Sequence, residues 1–333
     1  MLRKKLPPMA STDPFLPPVI RGPTIDHAHT HTVIMLHGGR YVEGADFAAA
    51  VLDVEQPKFI KRFPTFRWVF PSSHRGLQPG SPWFEPNDLD YDLGAEDGDK
   101  KRKEQYDGLR LSIRHILDII EEEVELLDGR TQNIILGGYL EGMATALWTM
   151  LIASGRSELG DNRRFGAFIG ITGWLPFEEE LEKIAEQYIS DDKEYRGTAL
   201  PHRYIPYYCK PKSSGIDKDK FPPTIIASVM QYLARTISFT EPSTAALEQA
   251  GHMRATPVLF CHDTMSQEVS TMHSGMAAEL LQQLGFDVQF EEELDEGLPG
   301  TYGAHLKGLM EMSQYFVKRG WKKLDKKRSW QEV

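Results

Sequence analysis

Chemistry is most legible in the pentapeptide Gly138-Tyr139-Leu140-Glu141-Gly142, which joins the apolar run at 133–136 (NIIL) to an Ala/Leu/Met-rich segment at 141–153. A Gly-x-Ser-x-Gly turn between a strand and a helix lifts a serine above the sheet as a nucleophile. The glycines remove side chains that would collide with neighbouring backbone. Here the central residue is Leu140, which has no atom able to attack a carbonyl, so covalent acyl transfer from this turn is excluded. Glu141 places a carboxyl group next to it, either turned toward the site or serving the positive end of its helix.

The elements that must hold this turn alternate between strand and helix. Strands are expected at 32–36 (TVIML), 66–70 (FRWVF), 133–136, 167–171, 256–261 and 286–290. Helices are expected at 44–54, 105–127, 141–153, 267–284 and 305–318. The longest carries Leu109, Ile113, Ile116, Leu117, Ile120 and Val124 at helical spacing, which makes one apolar face. Such alternation predicts an α/β fold, a mostly parallel sheet with helices on both faces. Residues 178–255 interrupt the rhythm with an acidic helix (178–187), a Tyr/Pro/Lys loop (204–220) and an amphipathic segment (224–239). The apolar face of that last segment reads as core packing, with a lid or dimer interface as the alternative. The chain thus divides into an extended Pro-rich arm (1–28), a first core part (29–177), an insertion (178–255), a second core part (256–321) and a basic tail (322–333).

Charge and cysteine usage narrow the function classes. The net charge is −10 and the one dense basic run lies at the C-terminus, which disfavours a nucleic-acid partner. Cys209 and Cys261 are far apart in sequence and make no disulfide framework, as expected of a cytoplasmic protein. No apolar run approaches the ~20 residues that span a bilayer. His27, His29 and His31 alternate, but no Cys or carboxylate completes a ligand set, so they read as part of a flexible arm. No phosphate-binding glycine motif follows a strand. Neither a metal nor a cofactor is expected.

Five pieces together resemble the acyl-protein thioesterase/carboxylesterase (phospholipase-carboxylesterase) family of α/β hydrolases. They are Leu36-His37-Gly38, Trp83-Phe84, Ile135-Leu136-Gly137-Gly138-Tyr139-x-x-Gly142, Gly173-Trp174-Leu175-Pro176 and Cys261-His262, in family order between about residues 31 and 320. The resemblance implies the α/β-hydrolase fold. It also places the family's nucleophile at Leu140, its acid at Ser266 and its histidine at His305, so two of three triad positions are replaced. The family's oxyanion hole would fall on the backbone N–H groups of Gly39, Arg40 and Glu141. These can stabilise any developing negative oxygen.

What remains is a degenerate triad in an apolar setting. His305 and Glu141 are the candidates for acid–base work. His37, Trp83, Phe84, Tyr139, Leu140, Trp174 and Asp263 are expected to line the site, with Asp263 facing His305 or Arg40. His37 and His262 also read as buried, hydrogen-bonded structural histidines, and Cys261 as a small core residue. The expected activity is non-hydrolytic, acting on a largely apolar small molecule by cyclisation (cycloaddition included), isomerisation or elimination. The alternatives are an inactive pseudo-hydrolase binding a lipid, an acylated protein or a subunit, and a residual esterase. A homodimer is compatible with all three, and integral membrane contact with none.

Overall fold

The computed structural model describes residues 14–24, 26–39, 41, 43–52, 62–73, 82–84, 98–153, 155–156, 164–191, 224–264, 266–293, 315–316 and 318. Its strands are β1 (Val19–Arg21), β2 (His31–Leu36), β3 (Phe66–Phe70), β4 (Ile134–Tyr139), β5 (Ala167–Ile171), β6 (Pro257–Asp263) and β7 (Asp287–Glu293). The α-helices are α1 (Gly44–Leu52), α2 (Gly98–Leu126), α3 (Glu141–Ala153), α4 (Glu178–Asp191), α5 (Thr224–Thr236), α6 (Thr244–Gln249) and α7 (Thr271–Gln283).

The strands form a seven-stranded sheet in the order β1-β3-β2-β4-β5-β6-β7. Only β1 runs antiparallel to its neighbour, and every other pairing is parallel. β4 and β5 are buried along their whole length, as a parallel sheet covered on both faces requires. Helix α3 is buried on all sides except at its first residue, Glu141, which matches a segment that is apolar all round. The α2 face read from sequence is buried at Leu109, Ile113, Ile116, Leu117, Ile120 and Val124.

Several boundaries differ from the sequence reading, each for a physical reason. The arm at 1–28 contains β1, whose Ile20 pairs with Val69; three residues are too few to show a period. β4 continues through Gly137 and Gly138, because its neighbours on both sides supply the ladder. Helix α2 starts at Gly98, seven residues before the expected 105. Helix α7 starts only at Thr271. His31 belongs to β2, so the alternating histidines are not a flexible arm at that point. Of the segment 305–318 only 315, 316 and 318 are described, and Phe316 packs on Phe63 and Phe66.

The described part of the insertion is docked on the core. Ile225, Ile226, Val229, Met230, Leu233 and Ile237 are all buried, with α5 packed against α3 and α4. The apolar face of that helix therefore packs on the core.

At the N-terminal ends of β2 and β3 lies a polar knot. Arg67 Nε donates to Glu123 at 3.0 Å. Thr32 Oγ1 donates to the same carboxylate at 2.9 Å, and His29 Nε2 meets Thr32 Oγ1 at 2.8 Å. Glu123 is only 3% exposed, so its charge depends on these partners.

Candidate functional site

The strand–turn–helix junction at the end of β4 retains a strained elbow although its centre is a leucine. Leu140 has φ +50°, a conformation costing an L-residue with a bulky side chain on the order of 1–2 kcal/mol. The chain is held there from three sides. Leu140 N–H donates to Ile171 O at 3.1 Å, and Leu140 O accepts the N–H groups of Met143 and Ala144. The flanking glycines are steric requirements. A Cβ at Gly138 would stand 2.3 Å from the Gly142 carbonyl carbon, and one at Gly142 would stand 2.4 Å from His37 O. At the end of β5, Thr172 (φ +48°) repeats the strain and is pinned by its N–H to Cys261 O at 2.8 Å. Strain of this kind clusters where a fold positions a site.

Glu141 begins α3 and turns its side chain back onto the donors of that site. Gly39 N–H donates to Glu141 Oε2 at 2.8 Å. Of the expected oxyanion-hole set, Gly39 thus points its N–H at the Glu141 carboxylate, while Arg40 lies outside the described residues. Burial holds the Glu141 carboxyl above the usual carboxylate range. The backbone N–H of Gly39 opposes that rise, and the nearby charge of Glu268 adds to it. Among the described residues no cation pairs with Glu141. It is a half-buried carboxylate held by a backbone dipole, which suits it to take up and release a proton.

The walls are fixed by a chain of hydrogen bonds running from β2 to α2. His37 Nε2 accepts the N–H of Ser73 at 3.1 Å, and its Nδ1 lies 3.2 Å from Gly38 O. This fixes the Nδ1–H tautomer, and burial lowers the pKa of the ring to about 4. Trp83 Nε1 donates to His37 O at 2.7 Å, and Ser112 Oγ of α2 donates to Trp83 O. His37 is thus a neutral post for the loop, with both ring nitrogens engaged. Phe84 and Trp174 meet edge-on at 6.2 Å, and Tyr139 meets Tyr41 in the same way at 6.3 Å. Tyr139, Leu140, Trp83, Phe84 and Trp174 are all buried.

Beyond β6, Ser266, expected from the resemblance at the acid position, serves the turn. Ser266 N–H donates to Asp263 O, and its hydroxyl accepts the N–H groups of Glu268 and Val269 at 3.4 Å. Asp263 N–H donates to Thr172 Oγ1 at 3.1 Å. His262 Nδ1 lies 2.7 Å from Ser274 Oγ. Since that hydroxyl proton goes to Gly173 O, the ring donates from Nδ1. Burial lowers the His262 pKa to about 4, with His273 adding to the effect. His305 lies outside the described residues.

The structure brings Gly39, Leu140 and Glu141 into one constellation, and ties His37 to Trp83 beside it. Thr172, Ser73 and Ser274, which hold these parts in place, carry no motif and were not legible in sequence. The contact between Gly39 and Glu141 had one signal, the acid immediately after the elbow. Among the described residues no group of three or more His, Cys, Asp or Glu could hold a metal ion. No described helix is long and apolar enough to cross a membrane.

No family model matches the chain. Acyl-protein thioesterase 1 of Debaryomyces hansenii is 24% identical over 138 residues, covering 39% of this chain and 52% of that protein. The chain thus spans about half the length of the curated relative it matches. The crystal structure of esterase PE8 superposes with a TM-score of 0.53 at 17% identity, over 91% of this chain and 98% of that one. Zea mays acyl-protein thioesterase 2 gives a TM-score of 0.47 at 16% identity, over 90% of this chain and 97% of that one. Fold similarity at such identity fixes the architecture and leaves activity to the site. The chain is an α/β-hydrolase-fold protein, acyl-protein thioesterase/carboxylesterase-like in sequence.

Proposed function

We propose that the chain is a non-hydrolytic enzyme acting on a largely apolar small molecule, with Glu141 as the group that moves a proton during cyclisation (cycloaddition included), isomerisation or elimination. The observation that carries this reading is the hydrogen bond from Gly39 N–H to Glu141 Oε2 at 2.8 Å. It fixes a carboxylate, with its pKa raised by burial, where the fold otherwise receives an acyl oxygen. A general base near its own pKa works efficiently, and fixed backbone dipoles hold its geometry without reorganisation.

Hydrolysis fits the same geometry poorly. Leu140 offers no nucleophile, and the Gly39 donor is engaged.

The test is incubation of the purified chain with a complex small-molecule extract, followed by mass spectrometry. Conversions that conserve mass or lose a small neutral fragment are expected with the wild-type chain. They should be absent with Glu141→Gln. A fluorophosphonate probe should leave the wild-type chain unlabelled. Covalent labelling, or turnover unaffected by Glu141→Gln, would overturn the proposal.

A further inference from the structure

Three consecutive residues at the C-terminal end of β6 hold one turn at the end of β5. Cys261 O accepts the N–H of Thr172 at 2.8 Å, and Asp263 N–H donates to Thr172 Oγ1 at 3.1 Å. Between them, His262 reaches the next residue of the turn indirectly. Its Nδ1 donates to Ser274 Oγ of α7 at 2.7 Å, and that hydroxyl donates to Gly173 O. The two bonds share one direction, because a carbonyl can only accept. Packing limits Gly173 as well: a Cβ added there would stand 2.6 Å from Met143 Sδ and 2.7 Å from Met143 Cβ, both on α3. The next residue in the chain is Trp174, which meets Phe84 edge-on at 6.2 Å.

We infer that His262 is a positioning residue of the candidate site: through Ser274 it fixes Gly173, and with it the seat of Trp174 against Phe84. A serine hydroxyl rotates to suit its surroundings. With the imidazole N–H on its lone pair and the carbonyl under its proton, Ser274 keeps one orientation, and bonds in series polarise one another. His262 and Ser274 are each 1% exposed, which shields both bonds from solvent. Burial lowers the ring pKa to about 4, so His262 stays neutral and the relay stands across the physiological range. Nε2 is buried too and meets no partner among the described residues, so no described group there competes for the ring proton. The turn needs such support. Thr172 has φ +48°, and backbone in that region persists only where its surroundings over-determine it. The inference concerns the wall of the site and stands whether or not Glu141 moves the proton.

The test follows Trp174 by NMR in the full chain, its indole N–H resonance being the one lost in Trp174→Phe. A long-range ¹H–¹⁵N correlation of the wild-type imidazoles is expected to show His262 as the Nδ1–H tautomer. His262→Leu and Ser274→Ala should each displace the Trp174 resonance and erase the ring-to-ring NOE between Trp174 and Phe84. His262→Asn, whose amide N–H can stand in place of Nδ1–H, should return both. Arg67→Met, which destabilises the far end of the sheet, should leave both unchanged and so separates positioning from general loss of stability. Should His262→Leu fold poorly, Ser274→Ala carries the same test. An Nε2–H tautomer, an unmoved resonance and NOE in Ser274→Ala, no recovery in His262→Asn, or equal displacement in Arg67→Met would each overturn the inference.

Discussion

Two carboxylates, Glu123 and Glu141, mark opposite ends of the same sheet and are treated in opposite ways. Glu123 sits at the N-terminal ends of the strands and is met by Arg67 and Thr32. A buried charge with a cation and a hydroxyl on it is locked in place, and its removal or orphaning disturbs folding. Glu141, at the C-terminal ends, is met among the described residues by the backbone N–H of Gly39, and burial raises its pKa. Ligands of parallel α/β sheets bind outside the carboxyl ends of the strands, which is the end where Glu141 lies.

The largest way to break the comparison is to remove the frame that presents Glu141. Gly142→Ala puts a Cβ within 2.4 Å of His37 O and 2.5 Å of Leu36 O, both backbone atoms that cannot yield without moving β2. A loss of about 4 kcal/mol or more is expected, seen as a collapse of the urea midpoint or as insoluble protein. Wild-type-like stability would mean the elbow is looser than its geometry indicates.

At the other end, Arg67→Met should leave Glu123 buried without its cation and cost about 3 kcal/mol in chemical denaturation. Glu123→Gln together with Arg67→Met should recover much of that loss, because no charge is then orphaned.

The histidines give an intermediate effect with a defined sign. His31, His37 and His262 are held at about 4, chiefly by burial, against 6.5 when unperturbed. Because their folded values are depressed, the unfolded chain binds more protons between about pH 6.5 and pH 4. Stability should be full above that window and fall as the pH is lowered through it. His37→Asn should flatten the fall measured by denaturation across that range.

The smallest stability effect should come from Glu141→Gln. A carboxyl whose folded pKa is raised contributes stability below its unfolded value and loses it as the pH rises through the folded value. Near neutral pH the substitution should therefore raise stability, by on the order of 1 kcal/mol or less, while abolishing turnover. Stabilisation purchased with function is the expected mark of a site residue. Glu123→Gln alone, with Arg67 left unpaired, should destabilise instead.

Periodicity and turn chemistry were enough to read the sheet order's raw material. The β3, β5 and α3 boundaries follow from runs of residues that fit one element type, and the elbow glycines follow from a motif with a steric cause. Ser266 illustrates the limit. Its place in the sequence marks it as a replaced acid, but its use as a turn acceptor for Glu268 and Val269 depends on the path of the chain after β6. Strand β1 escaped notice because its pairing with β3, and not its own three residues, makes it a strand.

The sequence by itself determined that this chain builds a parallel α/β sheet and that its elbow has no nucleophile, since both are local properties of residue type and spacing. Tertiary structure decided what meets the carboxylate beside it. Gly39 and Glu141 are 102 positions apart, and only the parallel pairing of β2 with β4 brings the first one's N–H to the second one's carboxylate. The same holds for Arg67 and Glu123, 56 positions apart. Hydrogen bonds and desolvation depend on distance in space, which a chain acquires only when its strands align.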